Sequence, residues 1–172
     1  MIAGRGKDDE VPEPGAPWSE IIPGLWMGGH FWDDGSGIPR PAVARSEFSL
    51  VVSMFTRSGH GPDDGVDHLV HEIPDSPLTF EQLGSVREAA ARTAAAVREN
   101  RPTLVRCFAG YNRSGLVVAQ ALVELGLDAE EAVALIRRRR SRWSLHNQVF
   151  VQYLETGLDV AQLLTGLDSP AP

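Results

Sequence analysis

The stretch Thr103-Leu-Val-Arg-Cys107-Phe-Ala-Gly-Tyr-Asn-Arg113-Ser-Gly115 decides the fold of this chain. An apolar run typical of a β-strand ends at Cys107, and the segment that follows Arg113 is typical of a helix. A thiol placed there faces unpaired amides and the positive end of the helix dipole, and both favour the thiolate. The same amides can hold a dianion the size of phosphate. The stretch therefore predicts an α/β fold with a nucleophilic thiol beside an anion site.

Composition limits the classes of function. A chain of 172 residues fits one domain, and its net charge of −7 argues against nucleic-acid or membrane-surface partners. Cys107 is the only cysteine, so an internal disulfide is excluded and a reducing compartment is favoured. Residues 1–10 lack the apolar core of a signal peptide. This absence and the single cysteine together predict a cytoplasmic location. No cluster of metal ligands is apparent, so neither a metal nor another cofactor is expected.

The order of elements predicts a single α/β domain over residues 18–164, between a flexible tail at 1–17 and a polar tail at 165–172. We expect a central, mostly parallel sheet of four or five strands with helices on both faces. The predicted strands cover 21–27, 49–55, 68–73 and 103–106. The predicted helices cover 41–48, 79–100, 113–125, 128–140 and 145–164. The loop between 28 and 41 either borders the site or covers the core.

Local signals mark the starts of two of these helices. Thr79 and Gln82 have the spacing of a capping box, in which each side chain bonds to the backbone of the other residue. Asp128 and Glu131 form a similar N-terminal signal for the helix that follows.

The spacing of Cys107 and Arg113 has a physical reason. Five residues lie between them, enough for a loop to wrap around a tetrahedral phosphate with its amides pointing inward. Gly110 permits the unusual backbone angles of such a loop, and the planar guanidinium of Arg113 can hold two phosphate oxygens. The predicted phosphate-binding residues are Phe108, Ala109, Gly110, Tyr111, Asn112 and Arg113.

The pattern Cys107-x-x-Gly110-x-x-Arg113-Ser114 resembles the signature loop of the cysteine-dependent protein tyrosine phosphatase superfamily. The short chain and its layout resemble the dual-specificity branch, over roughly residues 20–160. The resemblance implies that Cys107 is the nucleophile and forms a phosphocysteine intermediate. It also implies that Arg113 clamps the phosphate and that Ser114 donates a hydrogen bond to the thiolate.

Such a reaction needs a general acid, for which Asp75 is the candidate. Asp75 follows a predicted strand, lies between Pro74 and Pro77, and precedes Cys107 by 32 positions, a distance comparable to that in similar phosphatases. The alternative is that Asp75 is a turn residue chosen for its local hydrogen bonding. The rival acids Asp63, Asp64 and Asp67 lie in a loop before the strand.

Two further positions are predicted to support the site. The segment 147–154 resembles the final-helix pattern of the family, which implies that Asn147 supports the phosphate loop; a helix-capping Asn is the alternative. Arg106 stands where the family usually has His, and its charge favours the thiolate only if the side chain turns toward Cys107. The run 137–142 is either a solvated basic face or part of the pocket rim.

Together these features predict a phosphomonoesterase that acts on phosphorylated protein, with phosphotyrosine as the main substrate and phosphoserine and phosphothreonine as further ones. Basic residues other than Arg113 are absent from the loop, which disfavours inositol phospholipids. The alternatives are a phosphatase of a small metabolite or nucleotide, and a phosphate-binding module without turnover. Sulfur transfer on a rhodanese-like domain is a third, but it leaves Asp75 and Ser114 without a role.

Overall fold

The computed structural model describes residues 11–168, which form seven strands and five helices. The strands are β1 (Trp18–Ile22), β2 (Leu25–Gly28), β3 (Phe31–Trp32), β4 (Arg40–Pro41), β5 (Leu50–Ser53), β6 (Asp67–Val70) and β7 (Thr103–Arg106). The helices are α1 (Phe80–Arg98), α2 (Arg113–Glu124), α3 (Ala129–Arg139), α4 (Gln148–Thr156) and α5 (Leu158–Asp168). None of the helices within this range is both long and apolar enough to cross a membrane.

Five of the strands make one sheet in the order β1-β2-β7-β5-β6. Only β1 is antiparallel to its neighbour, so the predicted mostly parallel sheet is confirmed. Arg106, the last residue of β7, is in register with Gly28 of β2 and Ser53 of β5. Cys107 therefore lies at the carboxyl edge of the sheet, which is where open α/β sheets bind their ligands.

The two faces of the sheet are covered differently. Side chains from all five helices pack in one core with Met27, Val52 and Val105 on one face. On the other face the smaller core around Val51 is closed by residues between 42 and 48. We expected helices on both faces, but the helical cover of the described residues lies on one.

The predicted helix over 41–48 does not form, and this prediction was wrong. Pro41 pairs with Phe31 in the small β3–β4 sheet. The amide of Ala42 then donates to the carbonyl of His30, and the amide of Ala44 to that of His60. Because these amides bind distant carbonyls, they cannot make the local bonds of a helix.

The other helices follow their sequence signals. Thr79 and Gln82 form the predicted capping box of α1, and Asp128 caps α3 by accepting from the amide of Glu131. The single helix expected over 145–164 is instead divided into α4 and α5. The break falls at Gly157, whose φ of 95° no helix residue can adopt.

Residues 1–17 were expected to form a flexible tail, but the part of this tail that the structure describes packs against the domain. Residues 1–10 and 169–172 lie outside the described residues. The carbonyl of Pro12 accepts from the Tyr111 hydroxyl at 2.8 Å, and that of Ala16 accepts from Arg140 at 2.8 Å. Residues 12–17 therefore lie against the phosphate loop and α3, and α5 extends past the expected boundary at 164.

The α1 cap gives a test of the fold. We expect Thr79→Ala to lower the free energy of unfolding by about 1 kcal/mol, because the amide of Gln82 loses its acceptor. Urea unfolding measures the change. Thr79→Ser keeps the hydroxyl and should stay close to the wild type; equal losses in both variants would contradict a capping role.

Candidate active site

The thiol lies in the turn between β7 and α2. Cys107 Sγ is 3.3 Å from Ser114 Oγ, and both residues are fully buried. The amide of Cys107 donates to the carbonyl of Gly28 at 3.2 Å, which joins the start of the loop to the end of β2. The structure thus places Ser114 beside the thiol, where its hydroxyl can exchange a hydrogen bond with the sulfur.

The loop after Cys107 binds its surroundings through four consecutive carbonyls. The amide of His30 donates to the carbonyl of Phe108 (2.7 Å), and the amide of Leu145 donates to that of Tyr111 (3.1 Å). The guanidinium of Arg140 donates to the carbonyls of Ala109 (3.2 Å) and Gly110 (3.3 Å). In a trans peptide the carbonyl and the following N–H point in opposite directions. Since the carbonyls are directed at the surrounding segments, the amides of residues 109–112 face the inner side of the loop, as an anion nest requires.

Close packing fixes the path of this loop. Gly110 has a φ of 79°, and a Cβ there would lie 2.5 Å from the carbonyl carbon of Gly28 and 2.7 Å from Arg140 Nη2. A Cβ on Gly29 would lie 2.5 Å from the carbonyl oxygen of Phe108. Gly28 and Gly29 were not predicted as site residues; a Gly-Gly pair at the end of a strand was the available signal.

Arg113 and Asp75 line one open pocket of about 480 Å³, together with Phe55, Glu72, Ile73, Pro74 and Ser76. The guanidinium carbon of Arg113 lies 5.4 Å from the ring centroid of Phe55. Cys107 is fully buried and does not line this pocket. The pocket therefore presents the predicted clamp and the predicted acid side by side, next to the loop that carries the thiol.

Both oxygens of Asp75 accept hydrogen bonds from amides. Asn112 Nδ2 donates to Oδ2 at 3.0 Å, and Asn147 Nδ2 donates to Oδ1 at 2.8 Å. Asn147 also caps α4, because its Oδ1 accepts from the amide of Val149. Its backbone amide donates to Asn112 Oδ1 at 3.0 Å. Asn147 thus holds both Asp75 and a loop residue while it caps the helix.

The rival acids do not share this environment. Asp67 pairs in register with Leu50 at the opposite end of the sheet from Cys107 and forms ion pairs with Arg92 and Arg101. Asp63 and Asp64 are exposed in the loop before β6. Among these aspartates, Asp75 is the one that the structure joins to the phosphate loop.

The side chain of Arg106 turns away from the thiol. Its guanidinium donates to Ser53 Oγ (2.9 Å), to the carbonyl of His60 (2.8 Å) and to that of Gly61. Burial lowers the pKa of Arg106 to about 10. The condition under which we expected Arg106 to favour the thiolate is therefore not met, and the residue instead fixes the 60–61 segment to β7.

A buried histidine pair, which the sequence did not indicate, lies behind the loop. His30 Nε2 is 3.0 Å from the carbonyl of Phe55, and His30 Nδ1 is 3.1 Å from His60 Nδ1. Burial lowers the pKa of His30 to about 3, with a further contribution from Arg106. His30 is thus neutral; Nε2 donates to Phe55 and Nδ1 accepts from His60. Its backbone amide holds Phe108, so His30 joins the pocket wall to the loop.

The basic run 137–142 begins in the last turn of α3, and two of its arginines make hydrogen bonds to backbone carbonyls. Arg137 donates to the carbonyls of Ser144 and Leu145, and Arg140 donates to the phosphate loop. Arg138 and Arg139 are exposed. The run is therefore partly a solvated face, and Arg140 supports the loop from outside the pocket.

Comparisons with known proteins agree with this fold. The structure of human DUSP28 superposes with a TM-score of 0.66 at 24% identity, covering 88% of this chain and 97% of that one. A mouse putative dual specificity phosphatase, complexed with zinc tungstate, gives a TM-score of 0.63 at 24% identity, covering 90% and 92%. The predicted α/β fold is therefore confirmed, and it is the fold of these dual-specificity phosphatase structures.

In sequence the likeness is more limited. The triple specificity protein phosphatase PtpB of Mycobacterium tuberculosis is 32% identical over 77 residues, which are 45% of this chain but 28% of PtpB. The chain thus matches less than a third of the length of that relative. No model of a protein family matches the chain.

The neutral His30 gives a prediction for pH dependence. Its pKa falls from 6.5 in the unfolded chain to about 3 in the folded one, so the unfolded state binds more protons between these values. Stability is therefore lost as the pH falls, by about 2 kcal/mol between pH 7 and pH 5 from this residue alone. We expect His30→Gln, which cannot titrate, to lose that much less in urea unfolding over this interval. The same loss in both proteins would contradict a buried neutral His30.

Proposed function

We propose that this chain, which has the fold of the dual-specificity phosphatases, hydrolyses phosphomonoesters in two steps through Cys107. One arrangement carries the proposal. A thiol and a hydroxyl 3.3 Å apart lie in a loop whose amides face inward, and that loop adjoins a pocket shared by Arg113 and Asp75. Nucleophile, anion clamp and proton donor are the three groups that this reaction needs.

In the first step, the Cys107 thiolate attacks the phosphorus while the bond to the ester oxygen breaks. The inward amides and Arg113 stabilise the negative charge on the phosphoryl oxygens, where preorganised donors are most effective. Asp75 gives its proton to the departing oxygen, so that an alcohol or phenol leaves. The product is phosphocysteine.

In the second step, water attacks the phosphorus of the phosphocysteine and the phosphorus–sulfur bond breaks. Asp75, now a carboxylate, accepts the proton of the water. Ser114 donates a hydrogen bond to the sulfur as it leaves as a thiolate, and its position beside Sγ suits this role. Inorganic phosphate is released, and both Cys107 and Asp75 return to their initial states.

The substrate class in this proposal is phosphorylated protein, with phosphotyrosine preferred and phosphoserine and phosphothreonine accepted. The apolar side of the pocket, formed by Phe55, Ile73 and Pro74, suits an aromatic leaving group. The similar protein PtpB is named a triple specificity protein phosphatase, which agrees with broad acceptance. A cytoplasmic location stays a prediction from the single cysteine.

The nucleophile is tested with a generic aryl phosphate and a tyrosine-phosphorylated peptide. We expect Cys107→Ser to abolish turnover of both, because a serine hydroxyl is not ionised at neutral pH. Binding of phosphopeptide should persist, which separates loss of chemistry from loss of fold. Turnover that survives in Cys107→Ser would reject the proposal, and binding without turnover in the wild type would favour a binding module.

The acid is tested by Asp75→Asn, with Asp64→Asn as its matched control. We expect Asp75→Asn to lower kcat by about 10²- to 10⁴-fold for a phosphate with a poor leaving group and to flatten the basic limb of the pH–rate profile. Asp64 is exposed and does not line the pocket, so its variant should keep the wild-type rate. An unchanged rate in Asp75→Asn would place the acid elsewhere.

A further inference from the structure

We propose that Asn112, oriented by His146, is a positioning residue that aims the carboxyl of Asp75 at the phosphate loop. This inference rests on the proposed phosphatase function, in which Asp75 donates the proton. Asn112 directly precedes Arg113 and belongs to the phosphate loop, whereas Asp75 lies 37 positions earlier, on the loop after β6. The side chain of Asn112 joins the two.

The orientation of the Asn112 amide follows from its neighbours. The backbone N–H of Asn147 donates to one end of this amide at 3.0 Å, and only an oxygen can accept there. The other end must then be the nitrogen, which carries two hydrogens. One hydrogen points to Asp75 Oδ2 at 3.0 Å and the other to His146 Nε2 at 3.1 Å. Each end of the amide is thus matched to its partners in this orientation.

His146 has a defined part in this arrangement. Because Asn112 Nδ2 can only donate, His146 Nε2 must accept, and the imidazole carries its proton on Nδ1. The ring stands edge-on to that of Tyr111, with centroids 6.5 Å apart, so it is held by a second loop residue. His146 therefore fixes the rotation of Asn112 and, through it, the direction of the bond to Asp75.

The arrangement has a consequence for the acid. Asn147 holds Asp75 Oδ1 and Asn112 holds Oδ2, so the carboxyl plane is fixed at two points. Proton transfer is efficient only when the acid lies within hydrogen-bond reach of the leaving oxygen. With Asn112 removed, the carboxyl can rotate about the remaining bond to Asn147. Asp75 would then be less often aligned with a phosphate whose position the loop itself sets.

A series of phosphate esters that differ in leaving group tests this role. An activated aryl phosphate needs little help from the acid, whereas an alkyl phosphate depends on it. We expect Asn112→Ala to lower kcat by roughly 10- to 100-fold for the alkyl ester and much less for the activated ester. A loop that is merely distorted would lose Arg113 contacts and slow all esters equally. An equal loss across the series would therefore overturn the inference.

The contribution of His146 is tested by rescue. His146→Gln keeps an oxygen acceptor for Asn112 Nδ2 and should retain the leaving-group dependence of the wild type. His146→Leu removes the acceptor and should resemble Asn112→Ala. Gln148→Ala, an exposed change on the first residue of α4, is the control and should have no effect. Equal behaviour of His146→Gln and His146→Leu would overturn the part assigned to His146.

A double variant separates this inference from the function on which it rests. If Asn112 acts through Asp75, Asn112→Ala should add no further leaving-group dependence in an Asp75→Asn background. Additive effects would overturn the inference while leaving the phosphatase function intact. A wild-type chain that hydrolyses no phosphate ester would instead reject the function, and this inference with it. Should Asn112→Ala fail to fold, the two His146 variants, at a partly exposed position, provide the same test.

Discussion

The site depends on the hydrogen bonds that hold four successive carbonyls, from Phe108 to Tyr111, on the outside of one loop. A buried carbonyl without a donor costs about 1–3 kcal/mol, so four of them strongly constrain the backbone. Their donors belong to the segment after β2, to Arg140 at the end of α3 and to Leu145 before α4. The inward direction of the amides is therefore a property of the whole domain, because three separate segments must be in place before the loop can turn these amides inward.

A buried positive charge lies near the carboxyl edge of the sheet in a protein that is acidic overall. The chain carries a net charge of −7, yet Arg106 is buried one residue before Cys107, and its hydrogen-bond partners among the described residues are uncharged. Although burial lowers its pKa to about 10, the guanidinium stays protonated near neutral pH. Its bonds to the hydroxyl of Ser53 and to two carbonyls offset part of the desolvation cost without cancelling the charge. Arg106 therefore stays charged close to the carboxyl edge of the sheet, but its side chain turns away from Cys107 and its charge holds the 60–61 segment.

How far the sequence could predict this structure depended on whether the deciding contacts were local. The capping box of Thr79 and the cap of Asp128 act within four residues, and both were predictable. The strand, loop and helix around Cys107 also lie in one continuous stretch of sequence, so they could be predicted as well. The helix expected over 41–48 failed because its amides bind carbonyls such as that of His60, which periodicity cannot show. The break at Gly157 was missed for a different reason, since a glycine within an apolar helical pattern is often tolerated.

The side chains around Asp75 also show that contacts between distant parts of the sequence could not be predicted. Its position between two prolines and after a strand marked it as an acid candidate, but its partners Asn112 and Asn147 lie 37 and 72 positions away. Asn147 was predicted either to support the loop or to cap a helix, and its side chain caps α4 while it also donates to Asp75. The amide allows this because its oxygen and its nitrogen can serve different partners at once. A carboxylate at position 147 could cap α4 equally well but could not donate to Asp75, so the requirement for asparagine arises from the bond to Asp75 rather than from the helix.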